Sequence, residues 1–292
     1  MSTEKLKWIC ALLALAPIAA LAGQSVDETW VIDAQASVTI ENVAGEIIVE
    51  GWGREEAHLS GVLADSVDEL ELKADRSSLR IRVVTHSHRD MDDTYLKLMI
   101  PNQANIDATG VSADVTVLEM DNRKITAASV SGDIEVEANS EWVSIESVSG
   151  DVNFDGETGR ISAESVSGDI ELYGISGEIG ATTVSGDMQL QARVIEYAKL
   201  ETVSGDIDMS GEVASNGRLT AESMSGDVTI ILPAGQNGVF KAQSFSGRIS
   251  TDFGQVEETR HGPGSYLKYV AGNSGAEIRV ESFSGSITLE KN

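Results

Sequence analysis

Carboxylates, hydroxyls and imidazoles recur in this 292-residue chain at spacings that could support chemistry. One series is Asp114, Asp133, Asp151, Asp169, Asp187, Asp206 and Asp227. A second is Glu146, Glu164, Glu201, Glu222 and Glu281, with Thr182 and Gln243 at the equivalent places between them. A third holds only hydroxyl residues: Ser129, Ser147, Ser165, Thr183, Thr202, Ser223, Ser244 and Ser282. If the segments carrying them stack, each series becomes a column. Acids about 4.8 Å apart repel by roughly 1 kcal/mol per pair even in a water-like dielectric, so something must offset the repulsion. Two arrangements would do so: each carboxylate accepts backbone N–H groups at its own turn, or the column takes Ca²⁺, which prefers several hard oxygen ligands. Hydroxyls repeated at bends satisfy corner backbone groups, and no histidine accompanies them as a base for a nucleophile.

The four histidines are His58, His86, His88 and His261. His86-Ser87-His88, followed by Asp90, Asp92 and Asp93, places two imidazoles on one side of a strand, as a zinc or nickel site would need or as a polar hairpin tip could carry. His58 and His261 have no partner in their sequence contexts. Paired carboxylates could hydrolyse a glycosidic bond, but acids that recur with every repeat single out no pair. The tryptophans beyond the leader, Trp30, Trp52 and Trp142, are scattered rather than gathered as a sugar platform. The sequence therefore assigns no catalytic, cofactor-binding or metal-ligating residue.

What positions these columns is a repeat. Val-Ser-Gly-Asp occurs at Val130, Val148, Val166, Val184 and Val203; it drifts to Met224-Ser225-Gly226-Asp227, Phe245-Ser246-Gly247-Arg248 and Phe283-Ser284-Gly285-Ser286, and a degraded copy begins at Val111. Marked at the glycine position, successive copies from Ala113 to Gly247 are 19, 18, 18, 18, 19, 21 and 21 residues apart, and the step to Gly285 is 38. Apolar residues alternate from Val166 to Leu172, and Ile161 with Ala163 alternate one residue out of phase, so a bend near Ser165 brings both stretches to one interior. Two-residue alternation cannot make an amphipathic helix. A catalytic motif is needed once, whereas a structural unit that cannot bury its own inner face must be repeated. The expected fold is all-β: a right-handed parallel β-solenoid, a single-stranded β-helix of about nine rungs over 106–292. Glycine at the corner would supply backbone angles other residues resist. An enlarged rung or hairpin is expected at 250–277, and residues 23–105, with several alternating runs, form a small β-sheet region capping the first rung.

Residues 1–22 read as a secretory signal peptide: Lys5 and Lys7 precede an apolar run from Ile9 to Leu21, and Ala20-Leu21-Ala22 offers a cleavage pattern. The only cysteine, Cys10, lies within it, so the remaining chain has no thiol and depends on stacking alone. The whole chain carries a formal net charge of −26. Such acidity disfavours nucleic acid and bare anionic membranes. No membrane span is expected after signal cleavage, and the location read is periplasmic or extracellular.

Gly45-Glu46-Ile47 with Gly51-Trp52, Leu96-Lys97-Leu98-Met99-Ile100-Pro101, the serial Val-Ser-Gly-Asp units and Leu232-Pro233 together resemble a bacterial family of β-strand-repeat (DUF4097-like) domains labelled "putative adhesin". The resemblance covers almost the whole chain beyond the leader. It implies an exported β-helical domain, sometimes linked to envelope-stress systems, and supplies no catalytic residues. Arg248 and Ser286 depart from its usual Asp. The functional expectation is a non-enzymatic envelope protein that binds an envelope protein or glycan, or scaffolds by end-to-end self-association. The alternatives are a β-helical polysaccharide-active enzyme and a component of envelope-stress sensing. No cofactor is expected apart from the Ca²⁺ option.

Overall fold

The computed structural model describes residues 18–19, 23–85, 92–258, 264–273 and 275–292. Most of residues 1–22, read above as a signal peptide, together with His86, His88, Asp90 and His261, lies outside them. The described residues contain strands and no helix, so none is long and apolar enough to cross a membrane as a helix.

Strands β1 (Ile18–Ala19), β2 (Ser25–Val31), β3 (Ser37–Trp52), β4 (Glu56–Val62), β5 (Glu69–Ala74), β6 (Ser78–Val84) and β7 (Thr94–Pro101) build one end. The repeats begin with β8 (Asn105–Ser129), β9 (Ile134–Ser147), β10 (Val152–Asp155), β11 (Thr158–Glu164), β12 (Ile170–Thr183), β13 (Met188–Thr202) and β14 (Ile207–Ser223). They close with β15 (Val228–Leu232), β16 (Gly238–Ser244), β17 (Ile249–Thr251), β18 (Val256–Glu258), β19 (Ser265–Ala271), β20 (Glu277–Ser282) and β21 (Ile287–Lys291).

From β8 to β15 each copy pairs in parallel with the next, in the register the sequence period requires. Ile134 faces Val152, which faces Ile170, then Met188, Ile207 and Val228. On the other strand Val143, Ile161, Ile179, Ala198 and Leu219 align in the same way. All are buried in one continuous core. Burial of each large aliphatic side chain contributes roughly 1.5–3 kcal/mol, and only the rungs above and below can provide the cover. The unequal steps have local causes. The 19 residues between Ala113 and Gly132 include a bulge between Leu118 and Met120, where Glu119 takes a φ of +56°. The 21 residues between Gly205 and Gly226 include a bulge in which residues 214–217 fall out of the ladder.

The stacking order departs from the chain order at the C-terminal end. After β15 the chain skips a level: β16 and β17 pair with β20 and β21, and these two pair on their other side with β14 and β15. The last copy in sequence is thus the next-to-last in space, between the Gly226 and Gly247 rungs. The expectation that consecutive copies lie directly over one another fails here, because a parallel ladder needs only a matching pattern and not adjacency in the chain. The route back passes through an antiparallel hairpin of β18 and β19, whose second strand also runs antiparallel along β16. Gln236 holds the level-skipping turn. Its Nε2 donates to the Val213 carbonyl and its Oε1 accepts the Val213 N–H, at 3.0 and 2.9 Å, in place of a neighbouring strand.

The other end is built comparably. β3 pairs in parallel with β8 on one face and with β6 and β7 on the other. The stacking therefore reaches back to Ser37, and antiparallel strands β5, β4 and β2 lie farther out.

Candidate functional site

Each repeat turns its corner at Ser-Val-Ser-Gly-Asp or at one of its variants. The preceding strand fixes the phase: Ile161 and Ala163 point inward, so Ser165 does as well, and Val166 must point out. This corrects the expectation that Val166 lines the interior. A buried hydroxyl then holds the turn, with the Gly168 N–H donating to Ser165 Oγ at 2.9 Å; the same bond forms at Ser129, Ser147 and Ser244. Ser129 also donates to the Ala113 carbonyl at 3.0 Å and Ser244 to that of Gly285 at 2.8 Å, linking rungs. Thr183, Ser223 and Ser282 donate to a glycine carbonyl of the neighbouring rung, at 3.4, 3.4 and 3.2 Å, and the Thr202 Oγ1 is buried without a partner.

The corner glycines are required for close approach rather than for unusual angles. None of them has a positive φ among the described residues. A Cβ built on Gly168 would overlap the carbonyl oxygen of Gly150, and Gly150, Gly186, Gly205 and Gly226 each meet the glycine carbonyl of the rung beneath in the same way. Glycine's conformational freedom is used elsewhere, at Gly174 in the variable segment, where φ is +83°.

The aspartates form the expected column with different partners. Asp151 Oδ1 accepts the N–H of Asp169, 2.9 Å away in the next rung, rather than one at its own turn; the chain of such bonds runs from Asp114 to Asp227 and ends on the Ser286 N–H at 2.7 Å. Each carboxylate thereby gains a donor that offsets repulsion from its neighbours.

With hydroxyl and glycine turned in, the corner side chains form an outward ladder. In spatial order it runs Val111, Val130, Val148, Val166, Val184, Val203, Met224, Phe283 and Phe245, all exposed. Exposure is 44% at Val166 and 59% at Met224. The Phe245 and Phe283 rings stack with centroids 4.8 Å apart and planes 6° apart. The glutamate column borders one side of the ladder; on the other side exposed Ser167 and its equivalents separate it from the aspartate column. Toward the phenylalanines the corner hollows into an open groove of about 560 Å³. Its floor includes Thr202 and Ser223, and Glu201, Glu222 and Glu281 stand beside it. Lys199 lies 2.7 Å from Glu201, a bond that raises the lysine pKa, and Arg279 lies 2.8 Å from Glu281. No repeated search for acids, hydroxyls or imidazoles would find this ladder. The signal that could have found it is the phase of Ile161, Ala163 and Ser165.

The other sequence candidates are dispersed. His58 has a partner after all, its Nε2 lying 3.1 Å from Asp27 Oδ1 across β2 and β4. Asp93 accepts a bond from the Tyr95 hydroxyl at 3.3 Å, and its charge raises the tyrosine pKa. Among the described residues no three His, Cys, Asp or Glu side chains converge as metal ligands. A second, polar concavity of about 650 Å³ lies at another corner, where Arg193 pairs with Glu157 at 2.6 Å.

The Toastrack DUF4097 family profile matches residues 28–290, nearly the whole ladder-bearing coil. The chain belongs to the Toastrack DUF4097 family. No curated protein matches it. Among solved structures, a "putative lipid binding protein" from Parabacteroides distasonis is 14% identical with a TM-score of 0.51, over 93% of this chain and 99% of that one. A "putative adhesin" from Bacteroides fragilis is 10% identical with a TM-score of 0.47, over 91% and 97%. At 14% identity the likeness to the Parabacteroides distasonis structure is one of fold alone. The parallel stacking around the Gly column is how this Toastrack chain builds that fold.

Proposed function

We propose that this Toastrack protein is an exported, non-enzymatic envelope protein that binds a partner along its corner ladder, as an adhesin or as a scaffold. In this reading the leader directs export to the periplasm or cell exterior, the coil is right-handed, and the antiparallel strands at both ends cap it against further strand addition. One observation carries the proposal: the corner residue of every copy is apolar and exposed, and together they make a continuous stripe. Contiguous exposed apolar surface on a soluble protein marks an interaction site, and a stripe of one residue per rung suits a long partner better than a small substrate.

The test places a photo-crosslinking side chain at Val203, on the ladder, and at Glu171, exposed on a strand face away from it, in cells that express the protein. Crosslinks to a discrete envelope component from Val203 and not from Glu171 are expected. Equal crosslinking from both positions, or turnover on a glycan panel that Asp169→Asn abolishes, would refute the reading.

A further inference from the structure

Resting on that reading, the structure assigns the ladder a class of partner: we infer that it docks a cationic amphipathic α-helix lying along the axis of the coil. The first argument is charge. The apolar stripe from Val148 to Met224 is bordered on one flank by Glu146, Glu164, Glu201 and Glu222, with Thr182 between them and Lys199 paired to Glu201; on the other flank an exposed serine in each rung separates it from an unbroken aspartate series, and the chain as a whole carries −26. A complementary surface is an apolar face with Lys or Arg along both of its edges, which a basic amphipathic helix presents. A second copy of this chain would bring acid against acid, and an anionic lipid surface would do the same.

The second argument is spacing. The ladder advances about 4.8 Å per rung. The apolar face of a helix advances about 5.4 Å per turn, so it drifts only about 0.6 Å per rung and stays within half a rung of register for about four turns. Alternate residues of an extended strand advance about 6.7 Å and lose register within two rungs. From Val148 to Phe245 the ladder makes six steps, about 29 Å, the length of about 19 helical residues. The third argument is shape. The corner deepens at Val203, Met224, Phe283 and Phe245 into the groove of about 560 Å³, and the two stacked phenylalanines line its end with apolar ring surface suited to an aromatic or leucine anchor.

Three fluorescent 18-residue probes test this on the full chain by anisotropy. One is a Leu/Lys peptide with leucines at helical spacing, one has the same composition in strict alternation, and one is a Leu/Glu peptide at helical spacing. The first should bind saturably and gain helical circular dichroism on binding, with the other two at least tenfold weaker. Combined Met224→Ser, Phe245→Ser and Phe283→Ser should weaken it at least tenfold, as should Glu201→Gln, Glu222→Gln and Asp206→Asn together. Met224→Ser alone, measured with an unchanged melting temperature, keeps the test valid if a triple variant fails to fold. Equal binding of the alternating peptide, insensitivity to these variants, or self-association of the chain through this face would overturn the inference. If the probes fail while Val203 still crosslinks to an envelope component, partner binding stands and the helix assignment falls. If both fail, both fall.

Discussion

Between Gly132 and Gly205 each copy rests on the one before it in the chain, steps are 18 or 19 residues, and the exposed corner residue is always valine. Beyond Gly205 the steps lengthen and the corner carries methionine and two phenylalanines, and after the Gly226 copy the stacking order is permuted. The middle needs only neighbours, and any copy with the right pattern supplies them. At the C-terminal end the chain goes out one level, back through a hairpin, and into the gap it left. Freed from the tightest period, that region can carry larger corner groups, and the groove forms there. The groove and the permuted stacking belong to the same departure from regularity.

The largest contrast comes from removing strands. A chain ending at residue 276 loses β20 and β21, which are sandwiched on both sides; four buried residues, Ile278, Val280, Ile287 and Leu289, go with them. At roughly 1.5–3 kcal/mol each this approaches the whole margin of a typical domain. Thermal unfolding should show the C-terminal rungs lost or the protein insoluble. Deleting the single internal copy 151–168 should instead leave a folded coil one rung shorter, because its neighbours match each other. Equal damage from both would show that the two regions do not differ as described.

A methyl group sharpens the comparison next. Gly168→Ala places a Cβ against the Gly150 carbonyl and should cost about 3 kcal/mol by denaturant unfolding, whereas at Gly180 the nearest atoms are 3.9 Å from an added Cβ and the cost should be under about 1 kcal/mol. Hydroxyls come third. Ser165→Ala strands the Gly168 N–H and should destabilise by about 1–3 kcal/mol. Thr202→Val removes a hydroxyl that already lacks a partner, so it should be close to neutral or stabilising.

Much of this was legible in the sequence. The all-β class, the period, the columns and the hydroxyls at the bends follow from patterns that a parallel ladder displays openly. The rung order was not legible, because Phe283-Ser284-Gly285 fits any level equally well and only three-dimensional closure selects one. The ladder was missed because Val166 is in phase with Ile170 and Leu172 but on the far side of a corner, where alternation no longer predicts direction. The aspartate column is legible in the repeat, but a local turn motif does not reveal that the donor belongs to the next copy.

The smallest expected effect is at the N-terminal end. Asp75 accepts bonds from Ser77 and Ser78 that lower its pKa from 3.8 to about 2. A depressed carboxylate stabilises its turn fully above the unfolded value, and the contribution fades as pH falls from about 4 through about 2. Asp75→Asn should therefore flatten the local acid sensitivity of residues 75–78 in amide exchange while leaving the corner columns unchanged.

The central claim is that the corner residues form one outward ladder in spatial rather than chain order, and paired cysteines test it most directly. Neighbouring rungs lie about 4.8 Å apart, within disulfide range, and alternate rungs at about 9.6 Å do not. With Cys10 replaced by Ser, Met224→Cys with Phe283→Cys should oxidise readily to a bridged form seen as a mobility shift, and Met224→Cys with Phe245→Cys should not. Bridging of 224 to 245 and not to 283 would contradict the account.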